Sequence, residues 1–240
     1  MRRAPTQTTS DNYDEVQNWN FITTWLHSFR YKHVIDALAH YDKPFSLIDV
    51  GCAYGKLFSV LDTLHTIDYI GIEPPGYFAI VARQRHGHRS NFRVLDAYAP
   101  EGLEGLSADV IVALETLEHI PEPQCVRVIE RIAAMKPKLF IASVPVEVGP
   151  AIWMKNVGSA LSGYSRHREY TWAETWFAGL GMMNRVRVHE TGHRGFDWRW
   201  LAQTIRHHFH IREMRRFPLS FMPASCSSTV FMICEPRQKS

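Results

Sequence analysis

Residues 46–61 read SLIDVGCAYGKLFSVL: an apolar run closing on Asp49 and Val50, a turn with glycines at 51 and 55, and a second apolar run. FSLIDV (45–50) has the length of a short buried strand, and GKLFSVLDTL (55–64) has the length and composition of a helix. A strand that enters a helix through a glycine turn opens a doubly wound sheet. In such sheets ligands sit outside the carboxyl ends of the strands, and glycine lets them approach the backbone and the helix N-terminus.

The same alternation continues outward from that turn. DYIGIEP (68–74) reads as a second strand, YFAIVARQRH (77–86) as a helix and NFRVLDAYA (91–99) as a third strand. ADVIVALETLEHI (108–120) reads as a fourth strand running into a loop, PEPQCVRVIERIAAM (121–135) as a helix opened by prolines, and KLFIASVPV (138–146) as a fifth strand. Before the first strand, Trp19, Ile22, Leu26, Phe29, Val34 and Leu38 fall near helical spacing, so residues 1–44 form an N-terminal helical segment behind a polar start. After the fifth strand the alternation breaks. Asp197 caps a helix in DWRWLAQTIRHHF (197–209), and HIREMRRF (210–217) and SSTVFMICEP (227–236) are strands placed to pair antiparallel. The expected fold class is α/β, a doubly wound seven-stranded sheet with five parallel strands and a terminal antiparallel pair. Residues 148–196 exceed what such a unit needs and form an inserted cap within a single domain spanning 1–240.

Composition bounds the partners. The chain has 240 residues, 45% of them hydrophobic, enough for one sizeable core. No stretch approaches the roughly 18 apolar residues that span a bilayer, and the N-terminus lacks the apolar core of a signal peptide, so the expectation is a soluble, unexported, cytoplasmic protein. Cys52, Cys125, Cys226 and Cys234 form neither a CxxC pair nor a dense framework and read as reduced thiols. The net charge of +3 hides an asymmetry: residues 1–150 carry 14 basic against 18 acidic side chains, and 151–240 carry 13 against 6. The basic third is either the face that meets an anionic or polar partner or a merely solvated arginine-bearing surface.

Glu73 closes the second strand 24 residues after Asp49, where a carboxylate can accept both hydroxyls of a ribose. The intervening turn is GCAYGK followed by Leu57, which matches neither GxGxxG nor the P-loop pattern. The reading at this point is a nucleoside-bearing cofactor with no phosphate motif.

The motifs LIDVGCAYG, YIGIEP, VLDAYA and ALETLEHIPEP, in that order, resemble the class I S-adenosylmethionine-dependent methyltransferases. The last of them is similar to the stretch after the fourth strand in ubiquinone-biosynthesis O-methyltransferases. The resemblance implies that Asp49, Gly51, Cys52 and Gly55 surround the methionine portion of S-adenosylmethionine, that Glu73 takes the ribose hydroxyls, that Asp96 and Ala97 border the adenine, and that Leu114 and Glu115 lie near the methionine end. The family often carries a third glycine where this chain has Ala53, and an alanine fits there if its φ is below zero.

An activated methyl leaves the protein to hold the acceptor in line and exclude water. A hydroxyl acceptor also gains from losing its proton to a histidine, and His119, His167 and His193 are the candidate bases, each set against a purely structural role. ETLEH (115–119) offers Glu115, Glu118 and His119 as ligands for a magnesium ion, set against a reading in which Glu118 and His119 only orient the next segment. Similar clusters occur in metal-dependent members of the superfamily, including small-RNA 3′-end methyltransferases, and His167 or His193 could complete the set. The cap mixes Trp153, Tyr164, Tyr170, Trp172, Trp176 and Phe177 with SRHRE (165–169) and GHRGFDWR (192–199), a surface that suits a small-molecule or glycan acceptor, although half or more of the aromatics are expected to be the cap's own core. GHRGFDWRWL (192–201) further resembles stretches in methyltransferases of bacterial surface-glycan and secondary-metabolite clusters. O-methylation in a monomer or homodimer is the expectation. Nucleic acid is the less favoured partner, since no continuous basic stripe and no NPPY-type loop are present, and a non-catalytic member that only binds is the third possibility.

Overall fold

The computed structural model describes residues 21–153, 170–186, 195–217 and 223–237. Helix α1 (Phe21–Leu38) leads into β1 (Phe45–Val50), α2 (Lys56–Leu61), β2 (Ile67–Glu73), α3 (Tyr77–His86), β3 (Phe92–Asp96), β4 (Val110–Leu114), α4 (Glu122–Met135) and β5 (Leu139–Pro145). The cap contributes α5 (Trp172–Gly179), and the chain then runs through α6 (Trp198–His208), β6 (Phe209–Phe217) and β7 (Thr229–Pro236). The strands form one sheet in the order β3-β2-β1-β4-β5-β7-β6. β1 to β5 are parallel, with Asp49 beside Gly71 on one flank and Val112 on the other. β7 is antiparallel to both β5 and β6, so it lies between them and returns β6 to the direction of the first five.

The period-two alternation of strand side chains explains why both faces are covered. Ile48 and Val50 of β1 and Ile111 and Ala113 of β4 join one core with Val128, Ile129 and Ile132 of α4 and Leu201 and Ile205 of α6. Leu47 of β1 and Val110 and Val112 of β4 join the other with Val34 and Leu38 of α1, Phe58 and Leu61 of α2, and Ala79 and Ala82 of α3. At about 25 cal/mol per Å² of apolar surface, these two layers supply the dominant stabilising term. Asp197 caps α6 as its sequence implies, accepting a hydrogen bond from the Arg199 amide at 2.9 Å.

Two expectations needed adjustment. α2 ends at Leu61 rather than Leu64, because Asp62 caps it and the chain must turn into β2 at Ile67. In the basic third, Arg199, Arg212 and Arg215 are paired with Asp197, Glu235 and Glu213 at 2.6–2.7 Å, so part of that charge is spent on local ion pairs. The four cysteines are free, and among the described residues no helix is long and apolar enough to cross a membrane.

Candidate active site

The turn after β1 is hooked to the end of β2. The Gly51 amide donates to the Ile72 carbonyl at 2.8 Å and the Gly55 amide to the Cys52 carbonyl at 2.9 Å. Gly51 sits at φ +75, and a Cβ there would lie 2.3 Å from Thr116 Oγ1, so the position admits glycine for both conformational and steric reasons. Gly55, at φ +73, is the residue from which α2 starts.

Ala53 corrects the expectation drawn from sequence. Its φ is +46, in the left-handed region, not below zero. What holds it there is its amide, which donates to Glu73 Oε2 at 2.8 Å. A left-handed alanine costs about 1–2 kcal/mol, which a hydrogen bond of about 1–3 kcal/mol to the Glu73 carboxyl offsets. Glu73 therefore clamps the turn as well as facing the space beyond it.

That space is a cavity of about 490 Å³ outside the carboxyl ends of β1, β2 and β4, within the range of about 300–1,000 Å³ typical of small-molecule sites. Asp49, Gly51, Cys52, Glu73, Ala97, Leu114, Glu115 and His119 all line it. Asp49 is buried, and its Oδ2 accepts a hydrogen bond from the Tyr69 hydroxyl at 2.5 Å. Burial pushes the Asp49 carboxyl up to about 7, with the Glu73 charge adding to the shift and the Tyr69 bond opposing it. Burial likewise pushes Glu73 up to about 7, against the Ala53 bond. Glu115 turns through φ +51, with its amide donating to the Ser143 carbonyl at 2.9 Å, so β4 ends by tying its loop to β5. The His119 side chain is 49% exposed, and partial burial lowers its pKa below the ordinary 6.5, so the imidazole is neutral at pH 7.

Other predicted positions stand elsewhere. Gly55 shapes the turn without lining the cavity. Asp96 does not line it either: its carboxylate is paired with Arg83 at 2.5 Å, while Ala97, Tyr98 and Ala99 form that wall. Glu118 is directed into the interior, its side chain fully buried, with Nε2 of His119 3.9 Å from its Oε1. Burial, then the nearby Glu115, raises its pKa well above the carboxylate range. Among the described residues no three His, Cys, Asp or Glu side chains are grouped as metal ligands, so the reading of Glu115, Glu118 and His119 as a magnesium site gains no support there; Glu118 is fully buried, while Glu115 and His119 line the cavity. His167, His193, Tyr164 and residues 165–169 lie outside the described residues. Of the cap's described aromatics, Tyr170 is core, accepting from the Gly195 amide at 3.2 Å, and none lines the cavity.

Sequence reading missed Arg30 and Tyr31, which α1 brings to the cavity from the far side, and Tyr54, Phe78 and Gln124. Tyr54 lies inside the GCAYGK turn and could have been marked by that position alone. Nothing in the spacing of α1 marks Arg30 or Tyr31.

Comparison with known proteins fits this geometry. The pattern of a family described as "Methyltransferase domain" matches residues 25–216, most of the chain. The chain belongs to this methyltransferase family. Solved structures similar to the methyltransferase domain include the N-methyltransferase NodS from Bradyrhizobium japonicum, 11% identical, with 88% of this chain and 97% of that one covered at a TM-score of 0.56. Magnesium protoporphyrin IX methyltransferase from Synechocystis, with bound S-adenosylhomocysteine, is 14% identical over 91% of this chain and 88% of that one, at a TM-score of 0.59. A putative methyltransferase in complex with the Haloferax volcanii Trm112 activator is 13% identical over 95% and 98%, at 0.56. Among curated proteins no sequence matches. These neighbours share the Rossmann-like fold of class I S-adenosylmethionine-dependent methyltransferases, and they include both N- and O-methyltransferases. The narrower likeness to ubiquinone-pathway enzymes finds no support among them.

Proposed function

We propose that this methyltransferase domain moves a methyl group from S-adenosylmethionine to a hydroxyl of a small molecule or glycan. The observation that carries the reading is one cavity on which the left-handed turn, the Glu73 carboxyl and the His119 imidazole all open. The chain's groups fit the donor: Glu73 can accept the ribose hydroxyls, Tyr98 and Ala97 offer an apolar wall for a base, and Asp49 stands below the turn. When bound, S-adenosylmethionine supplies a methyl already activated on a sulfonium. Everything else falls to the protein. His119, neutral at pH 7 and on the cavity wall, can take the proton of an acceptor hydroxyl as it is methylated. Glu115 and Thr116, fixed by the tie between β4 and β5, border the space between turn and His119. The cap, entered from the end of β5 on the same side as the cavity, selects the acceptor.

Calorimetric titration with S-adenosylmethionine and S-adenosylhomocysteine tests the cofactor. Micromolar binding is expected, with Glu73→Ala losing at least about tenfold, since the variant removes both the ribose acceptor and the clamp on Ala53. No binding to the wild-type protein would leave a fold without the activity. Once a hydroxyl acceptor is found by screening, His119→Gln should slow transfer by about 10²–10⁴-fold while leaving the S-adenosylhomocysteine affinity within about twofold. Unchanged transfer would remove His119 from the role of base, and methylation confined to amines would overturn the hydroxyl reading.

A further inference from the structure

Helix α5 is amphipathic in the wrong sense for a helix packed on a soluble core. Its inward face carries Glu174, Thr175, Ala178 and Gly179, all buried. Glu174 is held there by the capping box, accepting from the Thr171 amide at 3.0 Å while the Glu174 amide donates to Thr171 Oγ1 at 3.2 Å. The outward face, at successive i, i+4 positions, carries Trp172, Trp176 and Leu180, which are 93%, 59% and 53% exposed, and Met182 follows at 44%. A helix in a water-soluble domain ordinarily turns its largest apolar side chains inward and its acid outward. Here small residues on the inner face let Trp153 pack against Gly179, its indole Nε1 donating to the Thr175 carbonyl at 3.1 Å, and Trp153 in turn braces Trp176 by stacking at 5.2 Å. The ridge is thus held outward by the packing beneath it.

The charge beside the ridge is positive. The Arg185 guanidinium, just past the helix end, lies over the ring of Phe177 of α5 at 5.2 Å. Arg199, paired with Asp197, reaches the Gly181 carbonyl at 3.5 Å, just past the helix end. The chain as a whole places 13 basic against 6 acidic side chains in residues 151–240. Tryptophan with apolar neighbours, flanked by arginine, is the composition that seats a helix in the headgroup layer of a bilayer.

We infer that α5 docks the protein on an anionic lipid surface through the Trp172–Trp176–Leu180–Met182 ridge, with Arg185 facing the headgroups. A second copy of the chain is the weaker occupant: a stable protein interface needs about 800 Å² and some 20–30 residues from each partner, far more than one ridge on an eight-residue helix, whereas interfacial insertion requires only a few apolar anchors. The ridge belongs to the end of the sheet on which the cavity opens, because the Gly149 amide, just beyond β5, donates to the Ala178 carbonyl of α5 at 2.8 Å. Docking would therefore set the cavity beside the membrane plane.

Vesicle flotation with the full chain tests this, using phosphatidylcholine vesicles with and without about one third phosphatidylglycerol. Wild-type protein should float with the anionic vesicles, and Trp172→Ala should partition about tenfold more weakly, the loss expected for one tryptophan anchor. Trp172 is almost fully exposed, so that variant should keep its fold, and its melting temperature and S-adenosylhomocysteine affinity, measured alongside, report folding and cofactor binding separately from docking. Arg185→Ala should weaken partitioning only where phosphatidylglycerol is present. Absence of flotation with anionic vesicles, or flotation indifferent to Trp172, would overturn the inference. So would a dimer in sedimentation velocity that Trp172→Glu dissociates, since a second copy would then own the ridge.

Discussion

Ala53 is a left-handed alanine in a turn whose other special positions are glycines, and its conformation is explained by a single acceptor, Glu73 Oε2. Two opposing effects decide what glycine would do there. Removing the Cβ relieves about 1 kcal/mol of left-handed strain, while the freer unfolded chain costs about 0.4–1 kcal/mol. Ala53→Gly should therefore leave stability within about 0.5 kcal/mol by urea denaturation, an unusual outcome for an alanine-to-glycine change and one that an Ala53 at negative φ would not produce. A loss above about 1 kcal/mol would mean that the residue is not in the left-handed region. Glu73 thus has two tasks on one carboxylate, and the clamp is as much a reason for its presence as the hydroxyls it can accept.

At the scale of elements, the turn after β1 and the loop after β4 are fitted to each other through Gly51 and Thr116. A methyl at Gly51 would meet Thr116 Oγ1 at 2.3 Å and Cγ2 at 2.5 Å, in addition to the cost of φ +75. Gly51→Ala should destabilise by roughly 2–4 kcal/mol and weaken S-adenosylhomocysteine binding. Adding Thr116→Gly should restore part of the stability but not the strain, and additive losses in that double-mutant cycle would show that the two elements do not touch as described. This fit also marks where sequence reading succeeded and where it stopped. The strands and the glycine turn were legible because a buried parallel strand is an uninterrupted apolar run and because φ above zero selects glycine. YFAIVARQRH was bounded correctly at 77–86, and Asp197 announced α6 by its capping chemistry. The direction in which a polar side chain points was not legible. Asp96 ends its strand three residues before the expected end at Ala99, and its carboxylate is drawn away by Arg83 on α3, a residue 13 positions earlier. Glu118 and His119 are adjacent in the short 3₁₀ turn at Leu117–His119, and their spacing did not show that Glu118 would be fully buried while His119, its Nε2 3.9 Å from Glu118 Oε1, stays half exposed on the cavity wall. Arg30 and Tyr31 reach the site only because α1 packs across the sheet, a tertiary fact with no local signal.

Across the whole molecule, the floor of the site couples acidity to folding and to ligand. Asp49 and Glu73 are both pushed up by burial to about 7, whereas in the unfolded chain such groups titrate near 4. Between those values the folded state binds more protons than the unfolded one, so stability is highest at the acid side of the window and falls as pH rises from about 4 through 7, the reverse of a salt-bridged carboxylate. Melting temperature measured without ligand should accordingly decline between about pH 5 and pH 8. Ligand acts in the opposite sense. Hydroxyls donating to Glu73 favour its ionised form and lower its pKa, so S-adenosylhomocysteine binding should release protons near pH 6.5 and tighten as pH rises through 7. The thermal shift that a fixed concentration produces should then be larger at pH 8 than at pH 6. Calorimetry in buffers of differing ionisation enthalpy measures the proton release directly, and Glu73→Gln should abolish it while keeping the fold. Release that survives in Glu73→Gln would move the proton to another carboxyl of the floor, Asp49 being raised to the same range, and the turn, not the ribose contact, would then be the seat of the pH dependence.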